Sequence, residues 1–319
     1  MQIVPARDAV LEHILDETWR IWSDGLTRDG YARYNAAQMK TPWGRECLAR
    51  VALVDGGRVL SSAKRYMLRA RLDDREIRVL GIGAVFTPPA LRSRGSAAAL
   101  IERLIEDARS DGTDAALLFS EIGATYYERF GFVCIPRDVL WLRAVEKPGA
   151  PALLVRTGEE RDIPAVTDIL RAAAAPARFA LEVEADLVRH SLSKKRLLAG
   201  LSPSGWRSVE FYIAEEGASA VAFVLLTSSR TGVTLEACGD RDPTGARVGA
   251  ILQVLRARTP GERVPDISAW LPPAFRPPQL TIVKERPASE LMMIRSLRED
   301  LRIDDLRAED IVYWHGDAF

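Results

Sequence analysis

The stretch TPPALRSRGSAAALIERLIEDA, Thr87 to Ala108, puts Arg92, Arg94 and Gly95 ahead of a helical run with no acidic residue in its first turn. A helix start leaves backbone N–H groups without partners and carries partial positive charge, so it can hold an anion. Gly95 has no Cβ and lets a bulky phosphate approach the main chain. The two guanidiniums add full charge, and Ser96, Ala97, Ala98 and Ala99 keep the approach clear. The chemistry that fits is the seating of a pyrophosphate. A helix start with merely solvated arginines uses the same residues and stands as the plain alternative.

Other reactive residue types are sparse. The loop has no Gly-Lys-Ser/Thr and is not a P-loop. GIGA at Gly81 lies within a strand with no helix directly after it, so it is not a dinucleotide fingerprint. Cys47, Cys134 and Cys238 are odd in number, far apart and free of any CxxC. That pattern fits a reducing compartment and argues against a disulfide framework or a thiolate zinc site. The three histidines and the acids show no metal-ligand spacing, so no metal is expected. Lys plus Arg equal Asp plus Glu at 44 each, so no global field draws the chain to nucleic acid or membrane. The opening MQIVPARDAVLEHIL lacks a basic region followed by an apolar run, and no span-length apolar segment occurs. The expected address is the cytoplasm.

The elements that must position this loop follow from periodicity. MQIVPARD reads as a strand, and AVLEHILDETWRIW carries Val10, Ile14, Leu15, Trp19 and Trp22 at helical spacing. TRDGYARYNAAQMKTPWGRECLAR reads as a second helical stretch. Two or three strands run from Val51 to Pro88, broken at Asp55-Gly56-Gly57 and Asp73-Asp74. After the quoted helix come the buried strand DAALLFS, the short helix ATYYERF, and the strands FVCIP and VLWLRAVE. The result is a mixed α/β sheet. At 319 residues the chain is sized for two domains, and EKPGAPA (146–152) reads as the linker. Past it a strand, an Arg/Asp turn, a helix, three strands and the helix TGARVGAILQVLRAR repeat the opening order. The expected division is therefore 1–146 and 147–319, a diverged tandem repeat.

VFTPPALRSRGSAAALIERLIEDA resembles the acyl-CoA loop of the GCN5-related N-acetyltransferase (GNAT) superfamily, Arg/Gln-x-x-Gly-x-Gly/Ala, met by Arg92, Gly95 and Ala97. YYERFGF, Tyr126 to Phe132, resembles that superfamily's tyrosine four residues before Gly-Phe. FSEIGATYYERFGF and KTPWG (Lys40 to Gly44) look most like fungal-type lysine N6-acetyltransferases and their bacterial relatives. Tandem-domain enzymes of the enhanced-intracellular-survival type are a second comparison.

The resemblance implies an acetyl-CoA-dependent N-acetyltransferase acting by direct amine attack, with acetyl-CoA as co-substrate. Val85, Phe86 and Thr87 would run along the pantetheine arm, with the Phe86 N–H polarising the thioester carbonyl. Arg92, Ser93, Arg94, Gly95, Ser96 and Ala97 would cradle the pyrophosphate. Gly81 and Gly83 would let the strand bulge and open the slot. Tyr127 matches the tyrosine that protonates the leaving thiolate, and Glu121 is the first choice of base. His315, Asp317 or the Phe319 carboxylate would be a base only if the aromatic tail reached the cleft. The tail serves equally as closure of the second core. Trp22, Tyr31, Tyr34 and Trp43 could wall an acceptor channel, since aromatic faces suit an alkylammonium, though each is also an ordinary core residue type. The acceptor is a small-molecule or lysine-type amine. In the second half Asp242 stands where Arg92 would, and no Tyr-x-x-x-Gly-Phe follows, which reads as a degenerate copy without cofactor. A non-catalytic acyl-CoA-binding sensor is the competing class. Acyl length and oligomeric state, a homo-oligomer included, stay open.

Overall fold

The computed structural model describes residues 1–145, 153–257, 266–272 and 274–314. The chain divides into two compact units, Met1–Pro136 with Ser289–Leu306, and Arg137–Ala288 with the described tail from Arg307. The expected linker, 146–152, lies outside the described residues.

In chain order the first stretch holds β1 (Gln2–Pro5), α1 (Asp8–Trp22), α2 (Arg28–Gln38), α3 (Pro42–Cys47), β2 (Leu48–Asp55), β3 (Arg58–Leu72), β4 (Arg75–Phe86), α4 (Ser96–Ser110), β5 (Ala115–Ser120), α5 (Thr125–Glu128) and β6 (Val133–Ile135). Then come β7 (Asp138–Ala144), β8 (Leu154–Thr157), α6 (Ile163–Ala174), β9 (Phe179–Leu181), α7 (Ala185–Leu201), β10 (Arg207–Glu216), β11 (Ser219–Ser229), β12 (Gly232–Asp240), α8 (Ala246–Ala257), β13 (Ile267–Ala269) and β14 (Leu280–Pro287). Last are β15 (Leu291–Ser296) and β16 (Ile311–Val312), the latter paired in parallel with β9.

Local chemistry accounts for the helix starts. Thr27 caps α2 by accepting from the Gly30 N–H at 3.1 Å. Thr41 caps α3 from Gly44 at 3.0 Å, with Pro42 at its first position. A Cβ on Gly44 would lie 2.0 Å from the Gln38 carbonyl oxygen. The KTPWG stretch is therefore explained by a helix start and a close backbone approach. In α4, Leu100, Ile101, Leu104, Ile105 and Ala108 form one buried face. That face packs in a core with Leu80, Ile82, Leu118, Phe130 and Met293.

The first unit's strands run β1-β2-β3-β4-β5-β15-β6, with β4 and β5 parallel. The second unit's run β8-β10-β11-β12-β13-β7-β14, with β12 and β13 parallel. The two orders correspond strand for strand. One position differs from the simple division of the sequence at 146: β15 completes the first sheet and β7 the second. LMMI in β15, from Leu291, is a short apolar run that pairs antiparallel with both β5 and β6. Its Met292, Met293 and Ile294 are buried, so burial rather than proximity in sequence decides its sheet. In the second unit Tyr313 and Trp314 are buried and stack edge-on against Trp270 and Phe275. The tail up to Trp314 thus closes that core, and His315, Asp317 and Phe319 lie outside the described residues. Among the described residues no helix is long and apolar enough to cross a membrane.

Candidate active site

Parallel pairing of β4 with β5 runs from Val79↔Ala115 to Ile82↔Leu118 and stops there. Past that point the strands no longer pair, and a cavity of about 700 Å³ opens in the first unit. Ile82, Gly83, Ala84 and Val85 line one side of it, and Phe119, Glu121 and Ile122 the other. The β3 register breaks at the same level: Gly83 faces Lys64 and Phe86 faces Ser62, leaving Ala84 and Val85 without a register partner. Ala84 takes φ 46°, a left-handed conformation uncommon for a residue with a Cβ. The expected bulge is therefore present, but Gly81 and Gly83 stay paired and Ala84 carries the irregularity. Phe86 is not among the lining residues. Its carbonyl accepts from Ser61 Oγ at 2.8 Å and its ring packs edge-on to Trp22 at 6.2 Å. The strand residues that line the cavity without a register partner, Ala84 and Val85, sit two and one residues before Phe86.

The turn before α4 has two left-handed residues, Ser93 at φ 60° and Gly95 at φ 81°. Gly95 is the N-cap, no side chain caps the helix, and no acid stands in its first turn. Thr87, Arg92, Ser93, Gly95, Ser96 and Ala97 line the cavity. The Arg92 Nε donates to the Thr87 carbonyl at 3.3 Å. Arg94 is exposed and outside the lining. Uncapped amides, a positive dipole end and a nearby guanidinium make this mouth suited to a pyrophosphate.

Tyr127, on α5, lines the cavity and is 8% exposed. Its ring packs edge-on with Tyr126 at 5.1 Å and Phe132 at 6.3 Å. Burial, then the neighbouring Tyr126 and Glu121, push its phenol up to about 12. The hydroxyl is thus a proton holder at neutral pH. Glu121 is exposed at the cavity edge directly after β5. Cys134 lies outside the lining, and burial with Glu128 pushes its thiol up, which disfavours the thiolate a covalent route needs.

Trp22, Tyr31 and Tyr34 also line the cavity. Trp43 does not: it is buried in the core against Tyr66, ring centres 6.4 Å apart. Among the lining residues not singled out from the sequence are Asn35, Arg50 and Lys64. The available signal was Arg50, a charge inside the strand LARVALVD, whose other charge, Asp55, stands at its end.

The corresponding turn in the second unit is arranged differently. Asp240 accepts from the backbone N–H groups of Asp242 at 2.9 Å and Arg247 at 2.8 Å, and from the Arg247 guanidinium at 3.0 Å. Asp242 accepts from the Thr244 N–H at 2.9 Å, a bond that holds its carboxyl below the usual range. The start of α8 is therefore supplied with carboxylates from the chain itself. A Cβ on Gly245 would meet the Phe275 ring at 2.7 Å.

Residues 13–135 match the family model of the acetyltransferase (GNAT) domain. No curated protein matches the sequence. Among solved structures, a GCN5-related N-acetyltransferase from Anabaena variabilis aligns at TM-score 0.69 and 11% identity, over 93% of this chain and 73% of that one. Another, from Kribbella flavida, aligns at TM-score 0.67 and 16% identity, over 93% and 72%. A conserved Enterococcus faecalis protein described as a probable N-acyltransferase aligns at TM-score 0.66 and 10% identity, over 93% and 72%. The fold is that of GNAT acyl-CoA N-acyltransferases, and the domain match supports an N-acetyltransferase.

Proposed function

We propose that this chain, with its acetyltransferase domain and fold, moves the acetyl group of acetyl-CoA onto a primary amine by direct attack. The observation that carries the reading is the divergence of β4 from β5 beyond Ile82 and Leu118, with an uncapped helix start among the same lining residues as Tyr127. The pyrophosphate would sit on the amides from Gly95 to Ala97, and the pantetheine would add along Gly83 to Val85. The deprotonated amine attacks the thioester carbon, a C–N bond forms, the C–S bond breaks, and coenzyme A leaves as thiolate. A backbone N–H at Ala84 or Val85 would hold the developing oxyanion, a contribution usually worth ~3–4 kcal/mol.

Tyr127 would return a proton to the leaving sulfur. A phenol near 12 is a weak acid for a thiol of ordinary pKa ~8.5. The transfer is helped because the same dry surroundings raise the thiol's pKa too. Glu121 would take the amine's proton, directly or through water. The acceptor would be a small molecule such as lysine, or a lysine side chain, in line with the fungal-type lysine N6-acetyltransferase resemblance. We also read the second unit as a degenerate copy whose Asp240 occupies the anion position.

Thiol release from acetyl-CoA against a panel of free amines, amino acids, aminoglycosides and peptides tests this reading. Tyr127→Phe should lower kcat by about 100-fold or more while calorimetric affinity for coenzyme A stays unchanged. Binding without turnover on any amine would instead make the protein an acyl-CoA sensor.

A further inference from the structure

The cavity holds a buried cation for which the proposed transfer, as set out so far, has no use. Arg50 is 4% exposed and lines the cavity. One terminal nitrogen donates to Asn35 Oδ1 at 3.0 Å, and the other has no hydrogen-bond partner among the described residues. Asn35 is held in turn, its amide nitrogen donating to the Tyr31 carbonyl at 2.9 Å. Burial lowers the guanidinium's pKa from the ordinary value, and the groups that oppose this are the phenols of Tyr31, which also hydrogen-bonds the side chain, and Tyr66, not carboxylates. Glu121, an acid that lines the cavity, is not among the groups that act on it. A guanidinium taken out of water without a counter-charge is unfavourable unless something supplies one.

Strand register says where that counter-charge would lie. Arg50 of β2 faces Lys64 of β3, and Lys64 faces Gly83 of β4. Residues opposed across neighbouring strands present the same face, so the three form a lateral row. Lys64 adds a second cation, its Nζ on Gln38 Oε1 at 3.0 Å. Gly83 has no side chain, so the row is open at its β4 end, where the thioester would lie. The loop and strand residues proposed to hold coenzyme A belong to β4 and the start of α4. Arg50 and Lys64 stand on the side of β2, β3 and α2.

We infer that the acceptor amine also carries an oxyanion, and that the unpartnered nitrogen of Arg50, beside Lys64, receives it. This rests on the transferase reading above. It selects a small amino acid or amino phosphate over polyamines, aminoglycosides and protein lysines. The planar fork of Arg50 matches two oxygens of a carboxylate or phosphate.

The test starts with the full chain, acetyl-labelled acetyl-CoA and a bacterial extract split into small molecules and proteins. Labelled small-molecule product is run on an anion exchanger near pH 11, where amines are neutral and only an oxyanion is retained. Mass spectrometry separates carboxylate from phosphate. Retained label is the expected result; label in the flow-through or on protein overturns the inference and leaves the transferase intact. No labelled product, with coenzyme A still bound in calorimetry, overturns the transferase reading and this inference with it. The identified acceptor is then compared with the same amine lacking its oxyanion. Wild type should prefer the acid by about 100-fold in kcat/KM, and equal rates overturn the inference. Arg50→Met should erase the preference through KM for the acceptor, leave KM for acetyl-CoA within about twofold, and be partly rescued by Arg50→Lys. If Arg50→Met fails to fold, the wild-type comparison still decides.

Discussion

Gly95 and Gly245 occupy corresponding turns before α4 and α8, and both have φ above 70°, yet they are glycine for different reasons. A Cβ on Gly95 meets nothing within 4 Å, whereas one on Gly245 runs into Phe275 and Pro277. Gly95→Ala should cost ~1 kcal/mol of stability, the price of the left-handed backbone alone. It should weaken coenzyme A binding far more if the pyrophosphate sits on this turn as proposed, because a methyl group would then stand against it. Gly245→Ala should cost ~2–4 kcal/mol from backbone and overpacking together and leave affinity unchanged. Thermal melts paired with calorimetry separate the two. Tyr127 carries a pH signature of its own. Its folded phenol titrates near 12 and an unfolded one near ~10, so between those values the native state holds more protons. Stability is fully present below pH 10 and falls as pH rises toward 12. Alkaline melts of Tyr127→Phe should fall less steeply through that window, with Tyr66 and Cys238, whose phenol and thiol burial also pushes up, contributing to what remains.

At the scale of elements, the tyrosine depends on a strand encoded more than 160 residues later. Met293 of β15 is fully buried in one core with Leu118, Tyr127 and Phe130, and Arg295 donates to the Phe130 carbonyl just past α5. Met293→Ala should destabilise the protein by ~2–5 kcal/mol, measured by denaturant titration. Arg295→Met should lower kcat several-fold through a loosened α5, with coenzyme A affinity kept, since α4 and its turn are untouched. The short helix α5 is not self-supporting, so its geometry is the geometry of what packs on it.

For the whole molecule, two sheets share one strand order, but each is completed by a strand that lies across the expected boundary in sequence. A chain stopped after Ala288 would leave β5 and β6 without the strand between them. It should be recovered as aggregate rather than as a folded first unit, by size-exclusion chromatography of the truncated product. The two helix starts also differ in charge: α4 offers bare amides and α8 carries Asp240. Titration calorimetry should therefore give one coenzyme A per chain, and Arg92→Ala with Arg94→Ala should remove all of that binding rather than half.

Local rules were legible in the residues themselves. The loop from Thr87 to Ala97, the tyrosine before Gly-Phe, the antiparallel meander and the apolar faces of α1 and α4 follow from turn chemistry, dipole and periodicity, which act over a few residues. The acidic turn before α8 was half legible: Asp242 marked it, but the carboxylate that accepts from the Arg247 N–H at the helix start is Asp240. Three features came only with the tertiary structure. β15 is four apolar residues long at its core, and only the gap between β5 and β6 shows where they go. Trp22 on α1 and Trp43 on α3 are the same residue type, and packing alone sends the first to the cavity and the second to the core. Arg50 is a charge inside a mostly apolar strand, and strand register, a non-local pairing, is what brings it, Lys64 and Gly83 into one row.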